Sequence, residues 1–260
     1  MELKPYKSGT MLERYIKGIL PIMLCVLLVY TSCRKDSTTI TKPQTQTIAG
    51  SELSKQVAVN FSRSLAGSFG GVNLKDGVNV SVEDHLGPHH ACGCTSNPLC
   101  GFFTDSLVNY NATSGDTTIH TGGSLRFYFN CINGKLSGYT AFDSLVTVKT
   151  TKASVYEYHV QQLYNIAALD SAKNFIGVNG TNDLRTYLTY TNGAPSENGG
   201  ATYKLSNLKI DVINRDILSG TATFKAFSPT WNLTGTITFL GNHQADVTTN
   251  GTTTRVNLTF

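Results

Sequence analysis

The chain has 260 residues, with 21 basic and 17 acidic side chains and a formal net charge of +4. Residues 1–32 hold four of the basic and two of the acidic residues, so residues 33–260 carry 17 basic and 15 acidic side chains. Such a small excess gives no field that would attract nucleic acid, and we predict no nucleic-acid partner. The length fits one domain with a sizeable core.

The first 32 residues predict export from the cytoplasm. A basic head is followed by thirteen mostly apolar residues, 18–30. This run is too short to span a membrane, which takes about 20 residues, and the pattern is that of a secretory signal peptide. The basic residues of the head are Lys4, Lys7, Arg14 and Lys17. Arg14 and Lys17 alone suffice, so the start is either Met1 or Met11.

A cysteine directly follows the apolar run and two small residues, Thr31 and Ser32. This arrangement resembles the lipobox of bacterial lipoproteins, which implies that Cys33 is diacylated and becomes the mature N-terminus. The segment Ser-Cys-Arg-Lys-Asp at 32–36 is similar to the start of outer-membrane lipoproteins of the Bacteroidota type. The resemblance implies a cell-envelope location, on the periplasmic face or the cell surface, with the membrane as partner through the lipid anchor.

Beyond the anchor, residues 33–48 are a polar tether, and residues 49–260 are predicted to form a single β-rich domain. The domain begins with one helix at about 51–66. Apolar residues recur there every fourth position, at Leu53, Val57, Phe61 and Leu65, and Ser51 is placed as N-cap. We interpret this stripe as a core-packing face. Glycines at 67, 70 and 71 end the helix, and without a lysine they do not form a phosphate loop.

The segment 85–94 concentrates histidine and cysteine. Cys92, Cys94, Cys100 and Cys131 are an even set in an exported chain, so we predict two disulfides. A Cys92–Cys94 bridge closes a strained small ring, which leaves either Cys92–Cys100 with Cys94–Cys131 or Cys92–Cys131 with Cys94–Cys100. The alternative is a zinc or copper(I) site. Its ligands would come from His85, His89, His90, Cys92 and Cys94.

After residue 78 the pattern is of about eleven strands joined by turns, with no alternation of strands and helices. Asn-Gly pairs, which favour type I′ hairpin turns, stand at 133–134, 179–180, 192–193, 198–199 and 250–251. A two-residue turn at 133–134 predicts four cross-strand pairs: Cys131–Leu136, Phe129–Gly138, Leu125–Phe142 and Tyr128–Tyr139.

The second testable hairpin is at 250–251, where a two-residue turn pairs Ala245 with Val256. These residues share one face with Val247, Leu258 and Phe260. For Ile237 and Phe239 to join that face, residues 241–243 must form a three-residue loop. We therefore predict a C-terminal meander of three strands.

Two further patterns concern the surface. Eight tyrosines between residues 128 and 203 can bind carbohydrate or line an apolar cavity, although the simpler interpretation is strand residues half-exposed on the outer side. Five Asp-Ser/Thr triplets resemble the O-glycosylation sequon of extracytoplasmic Bacteroidota-type proteins. Ordinary turn chemistry explains the triplets equally well. The acceptors would be Ser37, Ser106, Thr117, Ser144 and Ser171.

The predicted fold is all-β and mainly antiparallel, a large curled sheet or open barrel with one N-terminal helix. It is similar to the half-barrel of periplasmic lipoprotein carriers, and a β-sandwich is the alternative. We predict no catalytic residues and no cofactor, because no nucleophile elbow is present. The leading function is a non-enzymatic, lipid-anchored envelope protein acting as a binding or structural module. The alternatives are a carrier or sensor of a lipid or other apolar ligand, and a metal-handling protein.

Overall fold

The computed structural model describes residues 50–78, 100–101, 103–258 and 260. One α-helix and one short 3-10 helix precede a run of strands. The helices are α1 (Gly50–Leu65) and the 3-10 turn Leu74–Asp76. The strands are β1 (Phe103–Ser114), β2 (Thr117–Ile132), β3 (Lys135–Thr150), β4 (Ser154–Ala168), β5 (Phe175–Tyr190), β6 (Glu197–Asp211), β7 (Asp216–Ser228), β8 (Trp231–Gly241), β9 (Gln244–Thr249) and β10 (Thr252–Asn257).

The ten described strands form one antiparallel sheet in which each strand pairs with the next in sequence. β1 and β10 are the two ends of this order, so the sheet is open. The predicted fold class, mainly antiparallel β with a single N-terminal helix, is therefore confirmed. The alternative of a two-sheet sandwich is wrong, because all the described strands belong to one sheet.

Helix α1 lies on one side of the sheet, which we call the inner face. The predicted stripe of Leu53, Val57, Phe61 and Leu65 is buried there. The helix begins at Gly50, one residue before the predicted N-cap. In the part of the chain that the structure describes, no helix combines the length and apolar content needed to cross a membrane.

Helix α1 ends in a Schellman motif. The backbone N–H of Ser68 donates to the carbonyl of Arg63, and that of Gly67 donates to Ser64. Gly67 has a φ of +70°, a left-handed conformation that a side chain disfavours. The predicted glycine stop is therefore correct, and it turns the chain back toward the sheet.

The inner face is filled by aromatic side chains. The rings of Phe61 and Tyr203 lie 4.4 Å apart, and the Tyr203 hydroxyl donates to the carbonyl of Val57. Beyond the helix, Leu74 is fully buried, and the Tyr139 hydroxyl donates to the carbonyl of Gly77. Tyrosine thus serves in the core as well as on the surface, which corrects the simpler interpretation of the tyrosine-rich segment. The hydroxyls of Tyr139 and Tyr203 thus both have a backbone acceptor, which offsets the cost of burying them.

The hairpin at 133–134 has the predicted turn and first pair, with Cys131 opposite Leu136. A bulge at Ser137 then shifts the register by one residue, so that Phe129 faces Tyr139. The Ser137 hydroxyl donates to the carbonyl of Asn130 across the bulge. The other three predicted pairs are wrong for this reason: Phe129–Gly138, Leu125–Phe142 and Tyr128–Tyr139.

Two of the Asn-Gly pairs are not turns. Asn179 and Gly180 lie inside β5, and the pair at 198–199 lies inside β6. A Cβ on Gly180 would come within 1.9 Å of the carbonyl oxygen of Leu163 on the neighbouring strand. This glycine is needed for a close approach of two strands and not for a reversal of the chain.

The C-terminal meander has the predicted register. Ala245 faces Val256 and Phe239, and Ile237 faces Val247. The predicted three-residue loop is wrong in its detail. Asn242 and His243, both with positive φ, form a two-residue turn. The register shift between Phe239 and Gly241 adds one residue to β8 relative to β9, in place of the third loop residue that was predicted. The two arrangements give the same alternation of faces.

The buried face of the last strand gives a first prediction. Leu258 is buried, whereas its neighbour Asn257 is exposed. Replacing Leu258 by Ala should lower the free energy of unfolding by ~2–5 kcal/mol, because it leaves a cavity in the core. Asn257→Ala should change it by less than ~1 kcal/mol. Urea melts of the two variants measure the difference, and equal effects would show that the strand does not distinguish its faces.

Candidate functional site

Most of the side chains predicted to carry chemistry near the N-terminus lie outside the described residues. These are Cys33, Ser37, His85, His89, His90, Cys92 and Cys94. Their predicted lipidation, glycosylation or metal binding stays a prediction. The described residues contain no group of three or more histidines, cysteines, aspartates or glutamates placed to hold a metal ion.

Cys100 and Cys131 are joined by a disulfide, with their Cα atoms 5.4 Å apart. Both predicted connectivities are therefore wrong, since each gave Cys131 another partner. The reason is the register of β1 against β2, which pairs Phe103 with Tyr128. Continuing that register by three residues places Cys100 opposite Cys131. The β1–β2 hairpin was the signal that could have predicted this bridge.

The four glycosylation candidates in the described part of the chain differ in exposure. Ser171 is exposed in the turn between β4 and β5. Ser106, Thr117 and Ser144 are half-buried within strands. A glycan acceptor needs an accessible hydroxyl, so Ser171 is the best placed of these four.

A row of buried polar side chains crosses three strands on the inner face. We call Asp143, Gln162 and Asn182, which face one another across β3, β4 and β5, the polar row. Asp143 Oδ2 and Gln162 Oε1 both accept from the backbone N–H of Val72, at 3.0 and 2.9 Å. The amide of Asn182 donates to the hydroxyl of Ser64 at 2.8 Å. The polar row thus fastens the end of α1 and the segment after it to the sheet.

The segment before Val72 lies against these oxygens. A Cβ on Gly71 would stand 2.5 Å from Gln162 Oε1 and 2.8 Å from Asp143 Oδ2, and its φ is +88°. Only glycine fits a position that combines this contact with a left-handed backbone. Gly71 was predicted only as a helix stop, and the polar row was not predicted, because polar residues in strands are ordinarily assigned to the exposed face.

Burial raises the pKa of the Asp143 carboxyl to about 7, although hydrogen bonds from backbone N–H groups favour the ionised form. Its Oδ1 atom has no hydrogen-bond partner among the described residues. The neighbouring Gln162 Oε1 accepts from the same Val72 N–H. The polar row is therefore a structural connection between the sheet and the segment after α1.

The raised pKa predicts how stability depends on pH. A carboxyl with a higher pKa in the folded chain than its usual 3.8 binds its proton more tightly when folded. The free energy of unfolding should therefore fall by a few kcal/mol as the pH rises from about 4 to about 7. Asp143→Asn, which mimics the protonated form, should remove this part of the slope.

Urea midpoints at pH 5 and pH 8 measure the effect of Asp143→Asn. The exposed Asp116, which pairs with Lys152, provides a control, and Asp116→Asn should keep the wild-type dependence. An unchanged slope in the Asp143 variant would contradict the prediction.

The opposite side of the sheet, the outer face, carries two depressions. A wide, shallow one of about 600 Å³ lies over β1–β3 and is lined mainly by glycine, serine and apolar residues. A narrower one of about 210 Å³ lies over β3–β5. We call it the outer pocket. Its side chains are Ser144, Val146, His159, Gln161, Asp183, Arg185 and Tyr187. It is the stronger candidate, because charged, amide and aromatic groups converge there.

Polar contacts within the outer pocket order its charged groups. Arg185 Nε donates to Asp183 Oδ1 at 3.2 Å, and the Thr202 hydroxyl donates to the other carboxylate oxygen at 2.9 Å. The hydrogen bond and charge of Asp183 raise the pKa of Arg185, with a smaller contribution from the Tyr187 hydroxyl. The result is a fixed carboxylate beside a guanidinium that keeps further donors for a ligand.

The aromatic wall of the pocket is also held in place. The rings of His159 and Tyr187 meet edge to face with their centroids 5.3 Å apart. Nε2 of His159 contacts Oε1 of Glu157. Ser144 lines the same pocket, yet within the described residues no hydrogen bond joins its hydroxyl to the imidazole. The described residues of the pocket therefore lack the serine–histidine contact that activates a nucleophile. The carboxylate, guanidinium, amide and aromatic groups of the pocket are of the kinds that bind polar solutes.

The chain matches no protein-family model, no curated protein and no solved structure at a significant level.

Proposed function

We propose that the protein is a non-enzymatic binding module of the bacterial cell envelope, held to the outer membrane by a diacylated Cys33. Its ligand is a small polar molecule that binds in the outer pocket. The observation that carries this proposal is the contrast between the two faces of the sheet. The inner face is filled by α1 and the segment after it, whereas the outer face keeps a pocket with ordered polar groups.

The contrast also weighs against the alternative of a carrier of apolar ligands. A carrier of apolar ligands needs an empty apolar cavity, and the inner face is instead occupied by residues such as Phe61 and Tyr164, both fully buried. The metal-handling alternative would use His85, His89, His90, Cys92 and Cys94, which lie outside the described residues. The disulfide between Cys100 and Cys131 involves none of these ligands.

Anchoring through Cys33 gives a direct prediction. Cys33→Ala should release the protein from the membrane fraction or leave an unprocessed precursor, because two acyl chains supply most of the membrane affinity. Fractionation and intact mass measure both outcomes. Ser32→Ala, which keeps the acceptor cysteine, serves as control and should stay in the membrane fraction. Membrane retention of Cys33→Ala with a normal mature mass would contradict the anchor.

Binding at the outer pocket is tested with the acylated full chain in lipid nanodiscs. Thermal unfolding is followed with a chemically mixed set of small molecules: amino acids, dicarboxylates, polyamines, nucleosides and sugars. At least one class should raise the melting temperature, since a ligand of the folded state stabilises it. The rise should be lost in Arg185→Ala.

A matched control is available on the same face. Arg126 forms a comparable exposed ion pair with Asp105 on the neighbouring strand, outside the outer pocket. Arg126→Ala should keep the ligand-induced rise. If no compound stabilises the chain, or if the rise persists in Arg185→Ala, the outer pocket is not the binding site.

A further inference from the structure

We propose that one end of the sheet is a membrane-docking surface, at which aliphatic side chains on four hairpin turns enter the headgroup region of an anionic lipid bilayer. We call this end, formed by the turns β2–β3, β4–β5, β6–β7 and β8–β9, the aliphatic end. The inference goes beyond the proposed lipid anchor, because it concerns side chains of the folded domain, and it does not depend on the outer pocket. It depends on the position, the spacing and the charge of these turns.

Each of the four turns carries one exposed aliphatic side chain. Because every strand pairs with the next in sequence and runs antiparallel to it, alternate turns lie at the same end of the sheet. The exposed side chains stand in the turns or within two residues of them. They are Ile132, Leu169, Ile213 and Leu240, with exposed fractions of 67%, 53%, 70% and 41%.

The five turns at the opposite end are different. They consist mostly of small or polar residues, as solvated hairpin turns usually do. Among the described residues of that end, Phe227 is the only large apolar side chain that is exposed and equally close to a turn. Single exposed apolar residues are normal on a protein surface. Their recurrence on all four turns of one end indicates a surface that covers them.

The spacing fits a lipid surface better than a protein interface. Neighbouring turns of the aliphatic end are two strands apart, or about 10 Å, so the four side chains extend over about 30 Å. The core of a protein interface is contiguous and closely packed. Separate aliphatic side chains leave room for headgroups between them and can each reach the boundary between headgroups and acyl chains.

The carboxylates of these turns are turned toward the protein. Asp211 and Asp216 are each only 7% exposed, and Asp170 is half-buried. Each of the three accepts a hydrogen bond of 2.9 Å from a backbone N–H group of the same end. They hold the turns in shape and present few oxygens to solvent.

The basic side chains of the aliphatic end are more accessible. Lys135 and Arg215 are exposed, and Lys173 is half-exposed. Lys75 and Asp76 of the 3-10 turn lie close enough to Arg215 for its charge to act on both. The basic side chains that reach solvent here outnumber the acidic ones. Each basic residue near an anionic membrane surface adds to the attraction, so the charge complements anionic headgroups.

Docking through the aliphatic end keeps the outer pocket accessible. Strand β5 begins at this end with Phe175, and Arg185 lies ten residues further along the strand. That distance is about 30 Å in an extended strand. The outer pocket therefore lies well away from the proposed lipid contact.

Quenching of tryptophan fluorescence by brominated lipids tests the docking. The acylated full chain is placed in vesicles of phosphatidylethanolamine and phosphatidylglycerol whose acyl chains carry bromine, which quenches tryptophan on contact. The chain has a single tryptophan, Trp231, at the opposite end, where it pairs with Ser228. With Trp231→Phe as background, Ile213→Trp should lose about half or more of its fluorescence relative to vesicles without bromine. Leu240→Trp provides a second reporter.

The matched control is Ala194→Trp in the same background, because Ala194 is exposed in the turn between β5 and β6 at the opposite end. Its fluorescence should change little. Wild-type melting temperatures show that the variants fold. Replacing phosphatidylglycerol by phosphatidylcholine should weaken the quenching of Ile213→Trp, and an unchanged value would overturn the role of the basic residues.

Equal quenching of the reporters at the two ends would overturn the orientation. No quenching of Ile213→Trp or Leu240→Trp in a chain that floats with the vesicles would overturn the docking and leave Cys33 as the anchor. A chain that stays in solution would overturn the docking as well. A dimer that sedimentation detects and that Ile213→Ser dissociates, without quenching, would assign the aliphatic end to a second copy of the chain instead.

Discussion

The docking of one helix onto one face of the sheet is the interaction on which the rest of the structure depends. An open sheet of ten strands has two faces, and an apolar face is stable only when another element covers it. Phe61 and Leu65 of α1 meet aromatic residues such as Tyr203 and complete that cover. Because the inner face is used in this way, the outer face is left to solvent.

The polar row gives the docking its direction. Apolar contacts are non-directional, so a stripe of aliphatic side chains alone would let the helix slide along the sheet. Hydrogen bonds from Val72 to Asp143 and Gln162 fix where the segment after the helix must lie. The fastening has a cost in desolvation, which the raised pKa of Asp143 records. The position of the segment is thus specified by directional hydrogen bonds, whereas the apolar contacts supply the burial.

The sequence predicts well what depends on local periodicity. The stripe of α1, the antiparallel strands and the faces of the C-terminal meander follow from spacings of four or two residues. It predicts poorly what depends on a single inserted residue. The bulge at Ser137 shifts every later pair of its hairpin, and no composition signal marks it. Asn179-Gly180 has the composition of a turn, but it lies inside a strand, where the glycine allows a close approach of the neighbouring strand.

The candidate site was harder to predict for a related reason. Tyr187 and Arg185 belong to one strand, but the other groups of the site come from β3, β4 and β6. Which of these side chains share the outer face depends on the bulges between strands. The tyrosine-rich segment pointed to aromatic surfaces, yet it did not separate Tyr187 from the buried Tyr164 and Tyr203. The sequence does not give the exposure of each tyrosine side chain, because that exposure depends on which face of the sheet α1 covers.

The disulfide between Cys100 and Cys131 has a consequence for how the sheet comes apart. In this sheet each strand is hydrogen-bonded only to the strands before and after it in sequence. Strands can therefore separate one at a time, beginning with an end strand, β1 or β10. The disulfide links Cys100, which precedes β1, to Cys131 of β2. Near the other end of the sheet, the Ser54 hydroxyl of α1 forms a hydrogen bond with the Thr249 hydroxyl of β9. Because α1 comes before Cys100 in the chain, a pull from the tether first loads the contacts of α1 with the sheet, and only then reaches a bond that must be reduced before β1 can leave β2.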